Sequence, residues 1–324
     1  MTTWRGSKRA GGVAMAALLF LAEVGAAGAQ IQEAIRGTWR GRFEGDGRGW
    51  VQLQRDGERG SLSLPERVAV ELEAAGRASS QARLELAREA GRLSLEGTVG
   101  DTRGRGVFTF APDPAYAPAM ARLGLGRLDG EDLLAAAIWD VGSERLRMLE
   151  RAGYRGLEFD ELLSSAIFQV DTTFIAAIRA LGFQDLDIDQ LVAFKIHGVT
   201  PEFIVEARAM GLGALDADDL VAMRIHEVGQ EQVDAARSLG GQPDLDDVLG
   251  MAIHGVTAEF IQQMTDAGVR PEDVEEALAF RIHGVTPELV RSLRDQGFTD
   301  LDGEDLLKIR IHGLDRMLRR GGGG

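Results

Sequence analysis

The stretch that decides the fold is HGVTPEFIVEARAMGLGALDADDLVAMRI, residues 197–225. It carries start and stop signals for two short helices. Thr200 is a favourable N-cap and Pro201 suits the first helical position, so a first helix begins there. Gly211 supplies a left-handed residue that ends this helix, and Asp216 caps a second one. The stretch therefore predicts a pair of helices of about ten residues each.

The same pattern recurs through the C-terminal two-thirds of the chain. All five histidines follow one another at steps of 28 or 29 residues, and an isoleucine column keeps the same period: His197, His226, His254, His283 and His312; Ile138, Ile167, Ile196, Ile225, Ile253, Ile282 and Ile311. Helices this short are marginal alone and must bury their apolar faces against the next unit. The period predicts an α-solenoid of about seven 29-residue helix pairs over residues 112–320, with a flexible tail at 321–324.

Residues 30–111 follow a different rule, because their apolar residues alternate with period two. Turn signals rich in glycine and aspartate separate the alternating segments. Five or six short antiparallel strands in a sandwich or partly closed barrel fit this spacing. Residues 64–76 read either as a strand or as a short helix started by Pro65. The predicted fold class is α+β, a small antiparallel β domain followed by the helical solenoid.

The N-terminus has the layout of a secretory signal peptide. A basic cluster is followed by an apolar run over residues 13–22 and by small residues up to Ala29, after which we expect cleavage. The apolar run is well short of the roughly twenty residues that span a membrane. The sequence predicts a periplasmic or secreted protein with no stable membrane insertion after signal cleavage. The alternative is that the segment is not cleaved and stays as an N-terminal anchor. The chain has no cysteine, so disulfides and thiol chemistry are excluded.

The charge of the chain is strongly acidic and unevenly placed. Without residues 1–29, which hold three basic residues and Glu23, 33 basic and 50 acidic residues remain, a net charge of −17. Residues 112–324 hold 20 basic and 38 acidic residues, whereas residues 30–111 are almost neutral with 13 and 12. A surface this acidic repels nucleic acid and anionic lipid, so we expect neither as a partner.

The histidine column invites a metal-site hypothesis, because neutral imidazole is a common ligand. Equivalent side chains on neighbouring helices lie about 8–10 Å apart, whereas the ligands of one zinc ion lie only about 3–4 Å from one another. In the first two units the same position holds Trp139 and Phe168. These observations favour a structural ladder of flat rings at the ends of the second helices. A pH-responsive surface is the alternative, and no metal site is predicted.

The sequence contains partial matches to two metal-binding motifs, and each lacks a required residue. The segment at His226 begins like a zinc-protease motif, but Gln230 occupies the position of the second histidine. A calcium loop begun at Asp300 would need glycine and glutamate where Asp305 and Ile311 stand. The chain also lacks a Gly-rich phosphate loop and a Gly-x-Ser-x-Gly elbow. We predict no enzymatic activity, no catalytic residues and no bound cofactor.

The string HGVTPEFI at residues 197–204, with partial copies at 254–261 and 283–290, resembles a repeat of exported bacterial proteins. It is similar to the repeats appended to BlaR1-like membrane metallopeptidases. Residues 93–110 and 112–116 resemble the β segment that precedes the repeats there. The resemblance implies no peptidase activity, because this chain has neither the multi-span membrane portion nor the zinc-protease motif.

These patterns together predict a non-enzymatic interaction or scaffold protein that binds a protein or peptide through its acidic helical-repeat surface. An extended repeat surface is suited to such binding, although fold alone does not dictate function. The alternative is a carrier of a small apolar ligand in the β domain. Its cavity would be lined by the aromatic residues of the strands: Trp39, Phe43, Trp50, Phe108 and Phe110.

Overall fold

The computed structural model describes residues 34–43, 49–57, 61–77, 80–100 and 102–313. The predicted signal peptide (1–29) and tail (321–324) lie outside these residues. The described chain is α+β, as predicted: an antiparallel sheet is followed by a long series of helices.

The sheet has six strands in the order β3-β2-β1-β6-β5-β4 and is open. Its elements are β1 (Ile35–Phe43), β2 (Gly49–Arg55), β3 (Leu62–Ser63), α1 (Glu66–Arg77), β4 (Gln81–Arg88), β5 (Gly91–Val99) and β6 (Arg103–Pro112). The predicted strands are confirmed, but they form one open sheet rather than a sandwich or partly closed barrel. The physical reason is that the ambiguous segment after Pro65 forms helix α1. This helix packs on β1, β2, β4 and β5, and Val68 and Leu72 are among its buried side chains. The helix therefore covers the sheet where a sandwich would have a second sheet.

Alternation along the strands produces one buried and one exposed face. On β1 the side chains of Trp39 and Phe43 are buried, whereas those of Arg40 and Arg42 are exposed. The same alternation runs through β5 and β6, so the exposed positions of adjacent strands form one continuous solvent-facing surface.

The helices follow in short pairs, as the sequence predicts. They are α2 (Tyr116–Arg122), α3 (Gly130–Trp139), α4 (Ser143–Arg151), α5 (Phe159–Ile167), α6 (Thr172–Ala180), α7 (Ile188–His197), α8 (Pro201–Ala209), α9 (Ala217–Ile225), α10 (Gln230–Ser238), α11 (Leu245–His254), α12 (Ala258–Ala267), α13 (Val274–His283), α14 (Pro287–Asp295) and α15 (Gly303–Ile311). The predicted caps are present. The Thr200 hydroxyl accepts a hydrogen bond from the Phe203 amide (3.2 Å), and the Asp216 carboxylate accepts one from the Asp219 amide (2.9 Å).

The chain divides into two compact units. The first contains the described chain up to Ala176 together with Asp187–Ala193, and the second contains Ala177–Leu186 and the described chain from Phe194 onward. In the first unit α3 packs against β4, β5 and β6, so the earliest helices share a unit with the sheet. In the second unit the second helices pack in order, α9 on α11, α11 on α13 and α13 on α15, and the first helices α10, α12 and α14 do the same.

Candidate functional site

The isoleucine column of the second unit is exposed to solvent. These side chains lie at or next to the C-terminal ends of the second helices, and their exposed fractions are 37% for Ile196, 48% for Ile225, 54% for Ile253, 56% for Ile282 and 56% for Ile311. Since α9, α11, α13 and α15 pack side by side, equivalent isoleucines follow one another at about the 8–10 Å spacing of packed helices. We call these five residues the isoleucine ladder.

Each ladder residue is followed by a histidine. His197, His254 and His283 are the last residues of their helices, while His226 and His312 are C-caps. The ring of His197 is half-buried and the other four are exposed. The histidines therefore mark the C-terminal ends of the second helices.

Two further rows lie on the same helix faces. Four residues before each isoleucine from α9 onward is a half-buried aliphatic side chain, and seven residues before it is an exposed acid. The aliphatic residues are Val221, Leu249, Leu278 and Leu307; the acids are Asp218, Asp246, Glu275 and Glu304. Residues four and seven apart share one side of a helix, so each face presents acid, aliphatic residue and isoleucine in turn over about 10 Å.

Next to each of three ladder residues, the histidine carbonyl accepts a hydrogen bond from an arginine of the following helix-pair repeat. Arg281 Nε donates to the carbonyl of His254 (3.0 Å), and the guanidinium carbon lies 4.8 Å from the centre of the Phe260 ring. Arg224 makes the same hydrogen bond to the His197 carbonyl (3.1 Å) and Arg310 to the His283 carbonyl (3.2 Å). The last carbonyls of a helix have no partner within it, so each arginine caps the preceding second helix. We call this contact the arginine clasp.

The clasp occurs where the residue after the histidine is glycine. A Cβ added at Gly255 would lie 2.8 Å from Arg281 Nη2, and one added at Gly284 would lie 2.7 Å from Arg310 Nη2. The guanidinium thus occupies the space that a side chain would fill. After His226 the chain has Glu227, and the arginine position of the next unit is Ala252. The repeat that lacks glycine after its histidine is thus followed by a repeat that lacks the clasp arginine. Glycine and arginine therefore change together at these two positions along the chain.

The sequence interpretation missed both features. Arg224 lies in the last turn of α9, and its guanidinium reaches back to the His197 carbonyl of the preceding repeat. The joint change of glycine and arginine between units was the signal that could have revealed the clasp. The isoleucine column was visible in the sequence, but periodicity alone cannot distinguish a core position from an exposed one at a helix end.

Four of the five aromatic residues predicted to line a β-domain cavity lie on the buried face of the sheet, and the fifth does not. Trp39, Phe43, Phe108 and Phe110 are buried, and a Cβ added at Gly104 would lie 2.8 Å from both the Trp39 and Phe43 rings. The packing around these two rings is therefore tight. Trp50 lies on the opposite face of the sheet and is 45% exposed. Trp50 therefore does not share a face with the other four residues of the predicted lining.

Within the described residues, no group of three or more His, Asp or Glu side chains could hold a metal ion. No single helix in that part of the chain is long and apolar enough to span a membrane. Comparison with protein-family models, with curated proteins and with solved structures found no significant match in any of the three. The resemblance to exported bacterial repeat proteins therefore stays a prediction.

Proposed function

We propose that this chain is an exported, non-enzymatic interaction protein whose helical units, about seven stacked as an α-solenoid, bind a protein or peptide. The isoleucine ladder is the observation that carries this proposal. Export is supported by the signal-peptide pattern of residues 1–29. Stacking is supported by the ordered packing of α9, α11, α13 and α15 and by the clasps between successive units.

Single exposed apolar side chains are ordinary on protein surfaces. The ladder differs because the same helix-end position is apolar and exposed in five successive units. Contiguous apolar surface rimmed by polar groups is typical of a binding site. Covering it stabilises a complex by about 25 cal/mol for each Å² removed from water.

The rows beside the ladder define the chemistry of the partner. Asp218, Asp246, Glu275 and Glu304 are exposed along one edge of it. A partner that buries apolar side chains on the isoleucines therefore brings its flanking residues next to carboxylates. Opposite charges there raise the association rate and fix the register of binding. We expect a segment with aliphatic or aromatic residues flanked by lysine or arginine.

A peptide-display selection on the full chain tests this proposal. Peptides that combine apolar and basic residues are expected to be enriched. Replacing Ile225, Ile253 and Ile282 by glutamine should weaken their binding at least roughly tenfold, because three buried apolar contacts are lost. Val205→Gln combined with Val70→Gln is the matched control, since both valines are exposed and neither belongs to the ladder.

Circular dichroism should show unchanged helix content in both variants, because exposed positions are substituted. Equal binding to wild type and to the isoleucine variant would refute the ladder as the binding surface. A selection that enriches acidic peptides would refute the predicted partner chemistry.

A further inference from the structure

The exposed face of the sheet carries a compact group of arginines on β1 and β6. Arg40 pairs directly with Arg105, and Arg42 pairs with Arg103. All four side chains are exposed. Side chains directly opposite each other in an antiparallel pair have Cβ atoms about 5 Å apart, and alternate residues along a strand are about 7 Å apart. The four arginine side chains thus start from the corners of a small rectangle on the sheet, and we call these four residues the arginine array.

Like charges directly opposite each other destabilise a sheet. The neighbouring part of the same face avoids this problem. On β4 and β5, Arg83 Nε lies 3.4 Å from Glu96 Oε1, and Arg92 pairs with Glu85. In the described part of the chain the arginine array forms no ion pair, and its one side-chain hydrogen bond runs from Arg40 Nη2 to Gln52 Oε1 (3.3 Å). Among the described residues, therefore, no carboxylate neutralises the array, although the chain as a whole carries a net charge of −15.

Apolar groups border the array. Trp50 on β2 lies directly opposite Arg42 and is 45% exposed. Val107 on β6, two residues beyond Arg105, is 56% exposed. A ligand that neutralises the arginines can therefore also bury an apolar side chain at each of two positions.

We propose that this face binds an extended, acidic segment of another protein, with carboxylates at alternate positions. An extended chain places alternate side chains about 7 Å apart on one side, which is the spacing of Arg40 and Arg42 along β1. Guanidinium groups bind carboxylates through two parallel hydrogen bonds, which selects for this geometry. The site is separate from the isoleucine ladder, and its charge preference is opposite.

Nucleic acid is less favoured by the same observations. A long polyanion would be repelled by the net charge of −15 of the full chain. Single-strand binding surfaces stack successive bases on several aromatic rings, whereas Trp50 is the one aromatic side chain on this face among the described strand residues. A short acidic segment needs only the array and its apolar borders.

The test uses the full chain and a short peptide with glutamate at every second position and threonine between. A peptide of the same composition with its glutamates consecutive is the spacing control. Titration calorimetry at low salt should show binding of the alternating peptide, weaker binding of the consecutive one, and loss of both at high salt.

Arg40→Gln combined with Arg105→Gln should weaken the alternating peptide about tenfold, because two exposed ion pairs of about 0.7 kcal/mol each are lost. Arg83→Gln combined with Arg92→Gln removes the same charge from the same face, but from arginines already paired with Glu96 and Glu85. This control should leave the affinity almost unchanged. Arg40→Lys combined with Arg105→Lys keeps the charge and should give an intermediate loss.

The melting temperature of the Arg40→Gln, Arg105→Gln variant should not fall, since the substitution relieves repulsion between facing charges. Equal loss in both glutamine variants would reduce the site to general electrostatics and overturn the proposal. Failure of the wild-type chain to bind the alternating peptide would also overturn it. So would a preference for a single-stranded oligonucleotide, inorganic pyrophosphate or anionic vesicles over that peptide.

Discussion

The isoleucine at the end of the second helix is buried in the first helical repeat and exposed in the later ones that form the isoleucine ladder. In the first unit, α3 packs on the sheet and Ile138 is 1% exposed. In the second unit, the equivalent Ile282 at the end of α13 is 56% exposed. The period of the sequence is unchanged, but the surface that lies against the helix end is different. A repeat position therefore does not have a fixed environment.

Different side chains contact the turn after the second helix of a repeat in the two compact units. The turns compared are those after α3 and after α11. In the first unit the left-handed residue is Asp140 (φ +57°), and Arg88 Nε from β4 lies 3.3 Å from its carboxylate. The side chain of Glu89 also accepts a hydrogen bond from the Ser143 amide (2.8 Å). In the second unit the left-handed residue at α11 is Gly255, which is covered by the Arg281 clasp. The side chains that contact this turn therefore come from the β4–β5 region in the first unit and from the following repeat in the second.

Among the substitutions that test this comparison, Gly255→Val should lower the free energy of unfolding the most. A β-branched residue is strained at φ +68°, and its Cβ would lie 2.8 Å from Arg281 Nη2. Strain of about 1–2 kcal/mol, a lost hydrogen bond of about 1 kcal/mol and a lost cation–π contact of about 0.5 kcal/mol together predict a destabilisation of about 3 kcal/mol. Urea denaturation measures the change.

The same substitution in an Arg281→Ala background separates the two causes. With the clasp already removed, Gly255→Val should cost only the backbone strain, so the two effects should fall short of additivity by about 1.5 kcal/mol, the sum of the hydrogen bond and the cation–π contact. Strict additivity would mean that the glycine does not make room for the arginine, and the comparison between the two units would lose its basis.

The sequence specified local structure well because its signals are local. Thr200, Pro201 and Asp216 define helix starts through their own hydrogen bonds and backbone geometry, and these assignments are confirmed. The open sheet and the exposed face of Ile225 depend on which distant elements pack against them. Alternation of polar and apolar residues cannot report that, since a strand covered by a helix has the same pattern as one in a sandwich.

Asp132→Asn compares the start of α3 in the first unit with the equivalent helix start in the second unit. Asp132 is half-buried near the start of α3, accepts a hydrogen bond from the Asp129 amide (2.8 Å), and burial raises its pKa from 3.8 to about 6. The folded protein therefore binds a proton more tightly than the unfolded chain, and stability falls as the pH rises from about 4 to about 6. Asparagine keeps an acceptor oxygen without the buried charge, so the variant should be more stable than wild type by about 1 kcal/mol at pH 7.5.

This advantage should disappear near pH 4, where the Asp132 carboxyl is protonated in the folded protein. Asp247→Asn is the matched control, because Asp247 occupies the same repeat position in α11 of the second unit and accepts from the Asp244 amide. A carboxylate near a helix N-terminus is stabilising, so this control should lose about 0.5 kcal/mol at pH 7.5. Melting temperatures measured across the pH range would contradict the prediction if both variants changed in the same direction.

Glu227→Gly should have the smallest effect and tests the clasp by building one. Glu227 is held at φ +54° without a clasp from the next repeat, where Ala252 stands. Glycine removes the left-handed strain and should stabilise the protein by about 0.5–1 kcal/mol. Ala252→Arg alone should give no gain, because a side chain at 227 occupies the space that the guanidinium needs. The two substitutions together should exceed their sum by about 0.5 kcal/mol, since an arginine at 252 can then reach the His226 carbonyl. If the double variant is only additive, glycine and arginine change together along the chain for a reason other than direct packing.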